Sequence, residues 1–185
     1  MLDLETLSTR PNAVILVICA VRFNRNHTYS EKIDEKSLGT METFYKRILI
    51  HSCLHLGLHV DKQTEDWWNQ QDEDIMYEAL LNPDRDSLPT VLKSFSKWFG
   101  SNPRMRIWGN GSSFDVTILG EAYRLCGIEP PWKYWNVRDL RTVVDLGKVY
   151  MNDLPQDGHH NAKYDCYRQI IAFQRAKKNI NNNGI

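Results

Sequence analysis

An almost unbroken apolar run at residues 13–23 (AVILVICAVRF) constrains the fold of this chain more than any other stretch. It is rich in β-branched residues and too short to cross a bilayer as a helix, so it predicts a central strand buried on both faces. Residues 1–6 predict a strand before it, with leucine and acidic residues in alternation. A third strand is predicted within residues 27–35, and a further strand-like stretch lies at 42–50.

Helical spacing and capping residues dominate the remainder of the chain. Helices are predicted from about residue 61 to 81 with a break near 71, from 87 to 99, from Ser112 or Ser113 to about 126, over 139–148 and over 161–178. Residues 104–108 predict a short strand. This order predicts an α/β sandwich with a mixed sheet whose first three strands form a meander. We expect one domain over residues 1–178 and a flexible C-terminal tail at 179–185.

Composition and charge narrow the function classes. The chain has 185 residues and a formal net charge of zero, with nine Lys+Arg against 15 Asp+Glu in residues 1–90 and 14 against eight in residues 91–185. A neutral total argues against coating long stretches of nucleic acid but allows a grip on a few nucleotides. The four scattered cysteines predict neither a zinc site nor a disulfide framework. With no membrane span or secretory signal recognised, we expect a cytoplasmic protein with reduced thiols.

Two acidic residues stand side by side on the first predicted strand. Asp3 and Glu5 are two apart, so they share a face of the strand roughly 6–7 Å apart. Two such carboxylates repel each other unless a cation lies between them. Their hard oxygen atoms suit Mg²⁺ or Mn²⁺. The pattern therefore predicts a metal site, and a solvated pair on an edge strand is the open alternative.

Further acidic residues and a histidine follow at the starts of two predicted helices. Asp115 falls in the first turns of a helix, where an acid can also simply complement the helix dipole. His160 lies just before the last helix and Asp165 in its second turn. A histidine beside a metal-bound water is suited to general-base catalysis, because its pKa lies near neutrality. The alternative is an ordinary surface histidine, which is what we expect of His159.

The order of these motifs resembles that of DEDD-type 3′–5′ exonucleases with a histidine in the last motif. The resemblance is carried by Leu2-Asp3-Leu4-Glu5-Thr6, by residues 110–115 (NGSSFD) and by residues 160–165 (HNAKYD). Flanking stretches, such as residues 64–68 (TEDWW), are similar to the branch of mycobacterial RNase AS-like exoribonucleases and phage exonucleases of the T4 type. The resemblance covers nearly the whole chain.

The resemblance implies a fold, a site and a reaction. The fold would be ribonuclease H-like, a mixed five- or six-stranded sheet with helices on both faces. Two divalent ions, Mg²⁺ or Mn²⁺, about 4 Å apart would be held by carboxylates, and His160 would deprotonate the attacking water. The substrate would be the 3′ end of single-stranded DNA or RNA, and the product a nucleoside 5′-monophosphate. The implied ligands are Asp3, Glu5, Asp115 and Asp165.

Secondary positions can be interpreted in two ways. The resemblance implies that Thr6 and Leu7 lie by the terminal base, and Asn110 and Phe114 are also predicted to contact the substrate. Leu7 is equally suited to the core and Asn110 to a turn, and a phenylalanine such as Phe114 is most often a core residue. Arg138, Arg141, Lys163 and Arg168 are candidates for phosphate contacts, whereas Asp139 and Asp145 are expected to be ordinary surface acids. The alternative functions are a nucleic-acid-binding module that no longer cleaves and a ribonuclease H-like endonuclease. The choice between DNA and RNA stays open, as does a homodimer.

Overall fold

The first three strands form an antiparallel sheet. The computed structural model describes residues 1–111, 113–155 and 161–183. Strands β1 (Leu2–Thr6), β2 (Ile15–Val21) and β3 (Thr43–Arg47) are ordered β1-β2-β3, which confirms the predicted meander. Every residue of β2 is buried, as expected of an apolar strand flanked on both edges. The register changes between Glu5 and Thr6, where β1 has a bulge.

The third strand lies in the second of the two predicted stretches. Residues 27–35 form no strand, and that prediction is wrong. Asp34 instead caps helix α1 (Glu35–Gly39), its carboxylate accepting a hydrogen bond from the Ser37 backbone N–H at 2.8 Å. An aspartate in this role favours the helix start over a continued strand, because the cap satisfies an otherwise unpaired N–H. The polar composition of 27–35 also gives a strand little to bury.

Two short parallel strands complete the sheet structure of the described residues. Strand β4 (Ile107–Gly109) pairs with β5 (Val137–Asp139), and β4 also contacts β1. The hydrogen bonds divide the five strands into a sheet of three and a sheet of two, giving a mixed α/β architecture. The single ribonuclease H-like sheet of five or six strands stays a prediction.

Helices pack against both the three-stranded and the two-stranded sheet. After α1 they are α2 (Ile50–Leu54), α3 (Lys62–Trp68), α4 (Glu73–Met76) running into a π-helical turn (Tyr77–Leu81), α5 (Leu88–Phe99), α6 (Asp115–Leu125), α7 (Leu140–Leu146) and α8 (Ala162–Asn183). The predicted serine cap of α6 is wrong, because Phe114 occupies the cap position without a side-chain hydrogen bond. Helix α8 runs to Asn183, past its predicted end at 178. No described helix is both long and apolar enough to span a bilayer.

The last helix packs across the first two strands. Its buried residues recur at helical spacing, and the Cys166 thiol lies 3.6 Å from the Met1 carbonyl oxygen and 3.7 Å from that of Cys19. Helix α8 therefore crosses the start of β1 and the middle of β2, and this contact brings the two ends of the sequence together. All four cysteines are free thiols, three of them buried.

Candidate functional site

Strand β1 and helix α8 bring three carboxylates together. Leu2 and Leu4 are buried, so the alternation along β1 turns Asp3 and Glu5 towards the other face, where both are partly exposed. Asp165, in the first turn of α8, faces them. Ligand oxygen atoms of Asp3, Glu5 and Asp165 all lie within 4.8 Å of one another. The structure thus brings together three of the four predicted metal ligands.

The fourth predicted ligand, Asp115, is the first residue of α6 and only 3% exposed. Its Oδ1 accepts a hydrogen bond from the Leu4 backbone N–H at 3.1 Å, and its Oδ2 accepts one from the Asn110 backbone N–H at 3.1 Å. Asp115 therefore joins the free edge of β1 to the turn after β4. Its charge raises the pKa of both Asp3 and Glu5, so it belongs electrostatically to the same cluster.

The pKa values reflect carboxylates that are partly or fully buried and lie close to one another. Burial, followed by repulsion from Asp165 and Asp115, raises the pKa of Glu5 to about 8. Burial and the Asp115 and Glu5 charges hold the pKa of Asp3 well above its usual range. The pKa of Asp115 rises to about 6 through burial, although hydrogen bonds from Asn110 and Leu4 oppose the shift. Such a cluster binds protons at neutral pH unless a cation compensates its charge.

Two neighbours of Asp165 on α8 complete the support of the cluster. Gln169 donates from Nε2 to Asp3 Oδ1 at 2.7 Å. Arg168 is 2% exposed; it forms an ion pair with Asp165 and donates from Nε to the Pro155 carbonyl at 2.7 Å. Arg168 therefore holds a carboxylate rather than facing solvent as a phosphate contact would. Gln169 is not among the predicted site residues, although a position four residues after Asp165 lies on the same helical face.

A second missed residue supports the turn that carries Asn110. Asp139, expected to be an ordinary surface acid, accepts a hydrogen bond at Oδ1 from the Gly111 backbone N–H at 3.0 Å and caps α7 through the Thr142 backbone N–H. Arg141 donates to the Asn110 carbonyl at 3.1 Å. The start of α7 thus fixes the loop on which Asp115 depends. No sequence pattern links residue 139 to residue 111.

The four residues predicted to contact the substrate make contacts within the protein itself. Thr6 is buried, and its hydroxyl donates to the Ser8 carbonyl at 2.7 Å. Leu7 lies in the core, and Phe114 is half-buried against it. Asn110 is half-buried and uses its backbone groups to bind Asp115 and Arg141. Their contacts with a nucleotide stay predictions, and the predicted base, His160, lies outside the described residues.

The donor set suits a hard divalent cation. All four side chains offer carboxylate oxygens, the ligands that Mg²⁺ and Mn²⁺ prefer. Beside them, Gln169 Oε1 is buried and has no hydrogen-bond donor among the described residues. A buried acceptor normally has a partner, and water bound to a metal ion would supply one. Asp3, Glu5, Asp165 and Asp115 are therefore the residues that could hold metal.

Two comparisons with known proteins agree with this arrangement. The chain is 23% identical over an alignment of 205 positions to the exodeoxyribonuclease of Enterobacteria phage T4, which covers 95% of this chain and 87% of the phage protein. Residues 1–176 match the family model described as the 3′–5′ exoribonuclease Rv2179c-like domain. That match spans both β1 and most of α8, the elements that carry the carboxylates. The chain therefore belongs to the family of Rv2179c-like 3′–5′ exoribonuclease domains.

Proposed function

We propose that this chain is a metal-dependent 3′–5′ exonuclease that releases nucleoside 5′-monophosphates from the 3′ end of single-stranded nucleic acid. One observation carries the proposal: oxygen atoms of Asp3, Glu5 and Asp165 converge within 4.8 Å. A protein gains nothing in stability from three converging carboxylates, because each raises the free energy of ionising the others. Family membership supplies the reaction class that makes this arrangement useful.

The residues of the cluster divide into ligands and supports. Asp3, Glu5, Asp115 and Asp165 would hold two Mg²⁺ or Mn²⁺ ions. Such ions supply an activated water and stabilisation of the leaving 3′ oxygen. Gln169 and Arg168 orient Asp3 and Asp165, and the hydrogen bonds to Asp115 fix it between β1 and the 110–111 turn. His160 would take the proton of the attacking water.

We further propose that β4 and β5 extend the three-stranded sheet into the ribonuclease H-like arrangement. The contact between β1 and β4 supports this, as does Asp115, which accepts the hydrogen bond that the free edge of β1 offers at Leu4. Two separately bonded sheets placed edge to edge in this way would present Asp3, Glu5 and Asp115 at one site.

Glu5→Gln is the most direct test of the metal site. Among the described residues no hydrogen bond depends on the Glu5 carboxylate, so the amide removes a ligand charge without breaking a contact. We expect nuclease activity to fall by at least about 100-fold. Loss of a residue that only hydrogen-bonds a metal ligand costs up to about 100-fold, and loss of a ligand itself should cost at least as much. Asp145→Asn removes an exposed acid of α7 and should leave activity unchanged. Activity is measured as release of mononucleotides from a labelled strand with Mg²⁺.

Glu5→Gln is preferable to replacing Asp165 or Asp115. Loss of Asp165 would leave the buried Arg168 without its charge partner, and an amide at 115 would present N–H to another N–H. Full activity of Glu5→Gln, together with unchanged Mn²⁺ affinity by calorimetry, would contradict the assignment of the site.

His160→Ala tests the base. A general base contributes about 10²–10⁴-fold to rate, so we expect kcat to fall within that range. Metal affinity and strand binding should stay close to those of the unchanged protein, because His160 is not proposed as a ligand. His159→Ala is the matched control. Equal turnover in the two variants would remove His160 from the mechanism.

The sugar of the substrate is decided by a matched time course. The family is named for exoribonucleases and the phage relative for an exodeoxyribonuclease, so each sugar has support. Single strands of RNA and DNA with the same sequence and a 5′ label are incubated with Mg²⁺ or with EDTA. The proposal expects a ladder that shortens from the 3′ end and stops in EDTA, and the faster strand identifies the preferred sugar. Internal cuts in a circular strand would instead indicate an endonuclease.

A further inference from the structure

A cavity of about 580 Å³ lies where β2 ends and β4 begins. Its walls come from residues 20–25, the end of α5 and residues 102–108. The described lining of this cavity contains none of the four carboxylates Asp3, Glu5, Asp115 and Asp165. The volume falls within the roughly 300–1,000 Å³ typical of ligand sites. The proposed nuclease site does not use this cavity.

The charges that line this cavity all have one sign. Its described lining contains four arginines and neither aspartate nor glutamate. Arg22 is already engaged: it forms an ion pair with Glu42 at 3.0 Å and lies 4.9 Å above the Trp98 ring. Arg104, Arg106 and Arg25 are exposed and form no ion pair within the described part of the chain. In a protein with zero formal net charge, this leaves three guanidinium groups available to an anion.

Aromatic rings form another part of the wall. Phe23, Tyr29 and Trp108 line the cavity and are each half-buried, so part of each side chain remains accessible. Phe23 and Trp108 pack edge to face with ring centroids 6.3 Å apart, and each also contacts Phe173 of α8. The rings are therefore held in place by the core. Rigid rings beside unpaired arginines are the combination on which nucleic-acid bases stack while phosphates are neutralised.

A neighbouring cavity continues the positive surface. It has a volume of about 490 Å³ and shares Phe23, Arg25 and Tyr29 with the first. Lys177 and Lys178 of α8 line it, and its one described acidic residue, Glu31, is paired with Arg175 at 2.8 Å. The charge that could attract a phosphate thus extends from Arg104 past Arg25 to the end of α8.

We propose that the first cavity, which we call the arginine pocket, binds a nucleotide. The phosphate would contact Arg104 and Arg106, and the base would lie against the rings of Phe23, Tyr29 and Trp108. The nucleotide could be free or part of a strand, because both present the same phosphate and base. The inference is independent of the proposed function, since it uses neither the carboxylates nor a metal ion.

Binding is measured in EDTA, where no hydrolysis occurs and the carboxylate cluster repels phosphate. The probe is a fluorescein-labelled single-stranded oligonucleotide followed by anisotropy, with AMP and ribose 5-phosphate as competitors. The variant Arg104→Gln/Arg106→Gln removes two exposed charges of the pocket. Lys93→Gln/Lys97→Gln removes two exposed charges from the neighbouring helix α5 and is the matched control.

The arginine variant should weaken binding by at least about tenfold, since each lost charge-assisted contact is worth about that much. It should also lower the salt dependence of log K by about 0.7 per lost phosphate contact. The lysine control should keep both values. Competition by AMP would identify a free nucleotide as sufficient, and binding of the oligonucleotide without such competition would identify a strand segment.

Three results would overturn the inference. If oligonucleotide binding weakened equally in the two double variants, the attraction would come from the overall positive charge of the surface and not from the arginine pocket. Ribose 5-phosphate competing as well as AMP would remove the base from the interaction. Unchanged oligonucleotide binding in Arg104→Gln/Arg106→Gln would remove the pocket itself. Glu5→Gln, assayed in parallel, should lose nuclease activity yet bind normally in EDTA, so failure of the nuclease assignment and failure of the pocket are distinguished.

Discussion

The position of Asp115 depends on a neighbour that has no side chain. Gly109, the last residue of β4, is buried against it: a Cβ built there would lie 3.2 Å from Asp115 Oδ2 and 3.3 Å from Val116 Cγ2. Contacts this short require the neighbour to move. Asp115 has little freedom to do so, because both of its carboxylate oxygens accept backbone hydrogen bonds. The absence of a side chain at Gly109 therefore leaves room for the Asp115 carboxylate and is not explained by an unusual backbone angle.

Gly109→Ala should disturb the site more than the fold. We expect lower Mn²⁺ affinity and a fall in activity of at least about tenfold, since a 1 Å misplacement of a catalytic group costs on the order of 100-fold. Gly120→Ala on α6 is the control, because a Cβ there meets nothing within 4 Å. Unaltered metal affinity in Gly109→Ala would show that a side chain at position 109 does not displace the Asp115 carboxylate.

At this scale the sequence predicts the carboxylates of the cluster better than it predicts the residues that support them. Asp3 and Glu5 could be paired because a strand places alternate residues on one face, and that rule needs no knowledge of the partner element. Gln169 and Asp139 could not be predicted with equal force. Their roles arise only when α8 meets β1 and when α7 meets the 110–111 turn, and neither contact is encoded in local spacing.

Helices α7 and α8 approach each other closely at Gly147. A Cβ at this position would lie 2.5 Å from the Ala176 Cα and Cβ atoms, which is shorter than any real contact. Gly147 has ordinary helical angles, φ −80° and ψ −1°, so its requirement is for space alone. Asn179 then donates to the Gly147 carbonyl at 2.9 Å. This contact with α7 explains why α8 continues through asparagine-rich residues for which the sequence predicts a flexible tail.

Gly147→Ala should separate α7 from α8 and destabilise the protein by about 1–3 kcal/mol, the usual cost of overpacking. Gly120→Ala should instead stabilise it by about 0.5–1 kcal/mol, because alanine loses less backbone entropy in a helix. Both values are measured by urea unfolding. Equal stability of the two alanine variants would mean that α7 and α8 do not pack as described.

The elements that differ from the sequence prediction have weak local patterns. In the stretch 27–35, where a strand is predicted, only Ile33 is buried. Asp34 in this polar stretch caps α1 instead of continuing a strand. Strand β5 has three half-buried residues and exists through its parallel pairing with β4. By contrast, β2 and α5 were predictable, because a long apolar run and a helical apolar face each identify an element without knowledge of its partner.

For the whole molecule, the carboxylate cluster lowers the free energy of unfolding when no metal is bound and the carboxylates are ionised. Glu5 and Asp115 have pKa values raised to about 8 and about 6 in the folded protein, so the folded state holds protons that the unfolded chain has released. Stability from this source is complete below the unfolded values, near 4.5 and 3.8, and is lost as pH rises through the raised ones. Other groups titrate over the same range, so the contribution of the cluster is isolated by a variant.

In EDTA we expect the thermal midpoint to fall as pH rises from 5 to about 8, and to fall less in Glu5→Gln. Added Mg²⁺ should raise the midpoint more at pH 8 than at pH 5, because protons compete with the metal at the lower pH. Scanning calorimetry measures both effects. A metal-free midpoint that falls identically in the parent and in Glu5→Gln would contradict the pKa assignment for Glu5.

Asp3 and its hydrogen-bond partner Gln169 are 166 positions apart, on the first strand and the last helix. A ribosome adding about 5–20 residues per second would need roughly 10–30 seconds to make the intervening chain. For most of that interval the N-terminal carboxylates are already outside the ribosome, while Asp165, Arg168 and Gln169 do not yet exist. A growing chain therefore cannot assemble the full cluster, and the messenger that encodes it is not exposed to a completed site on its own nascent product.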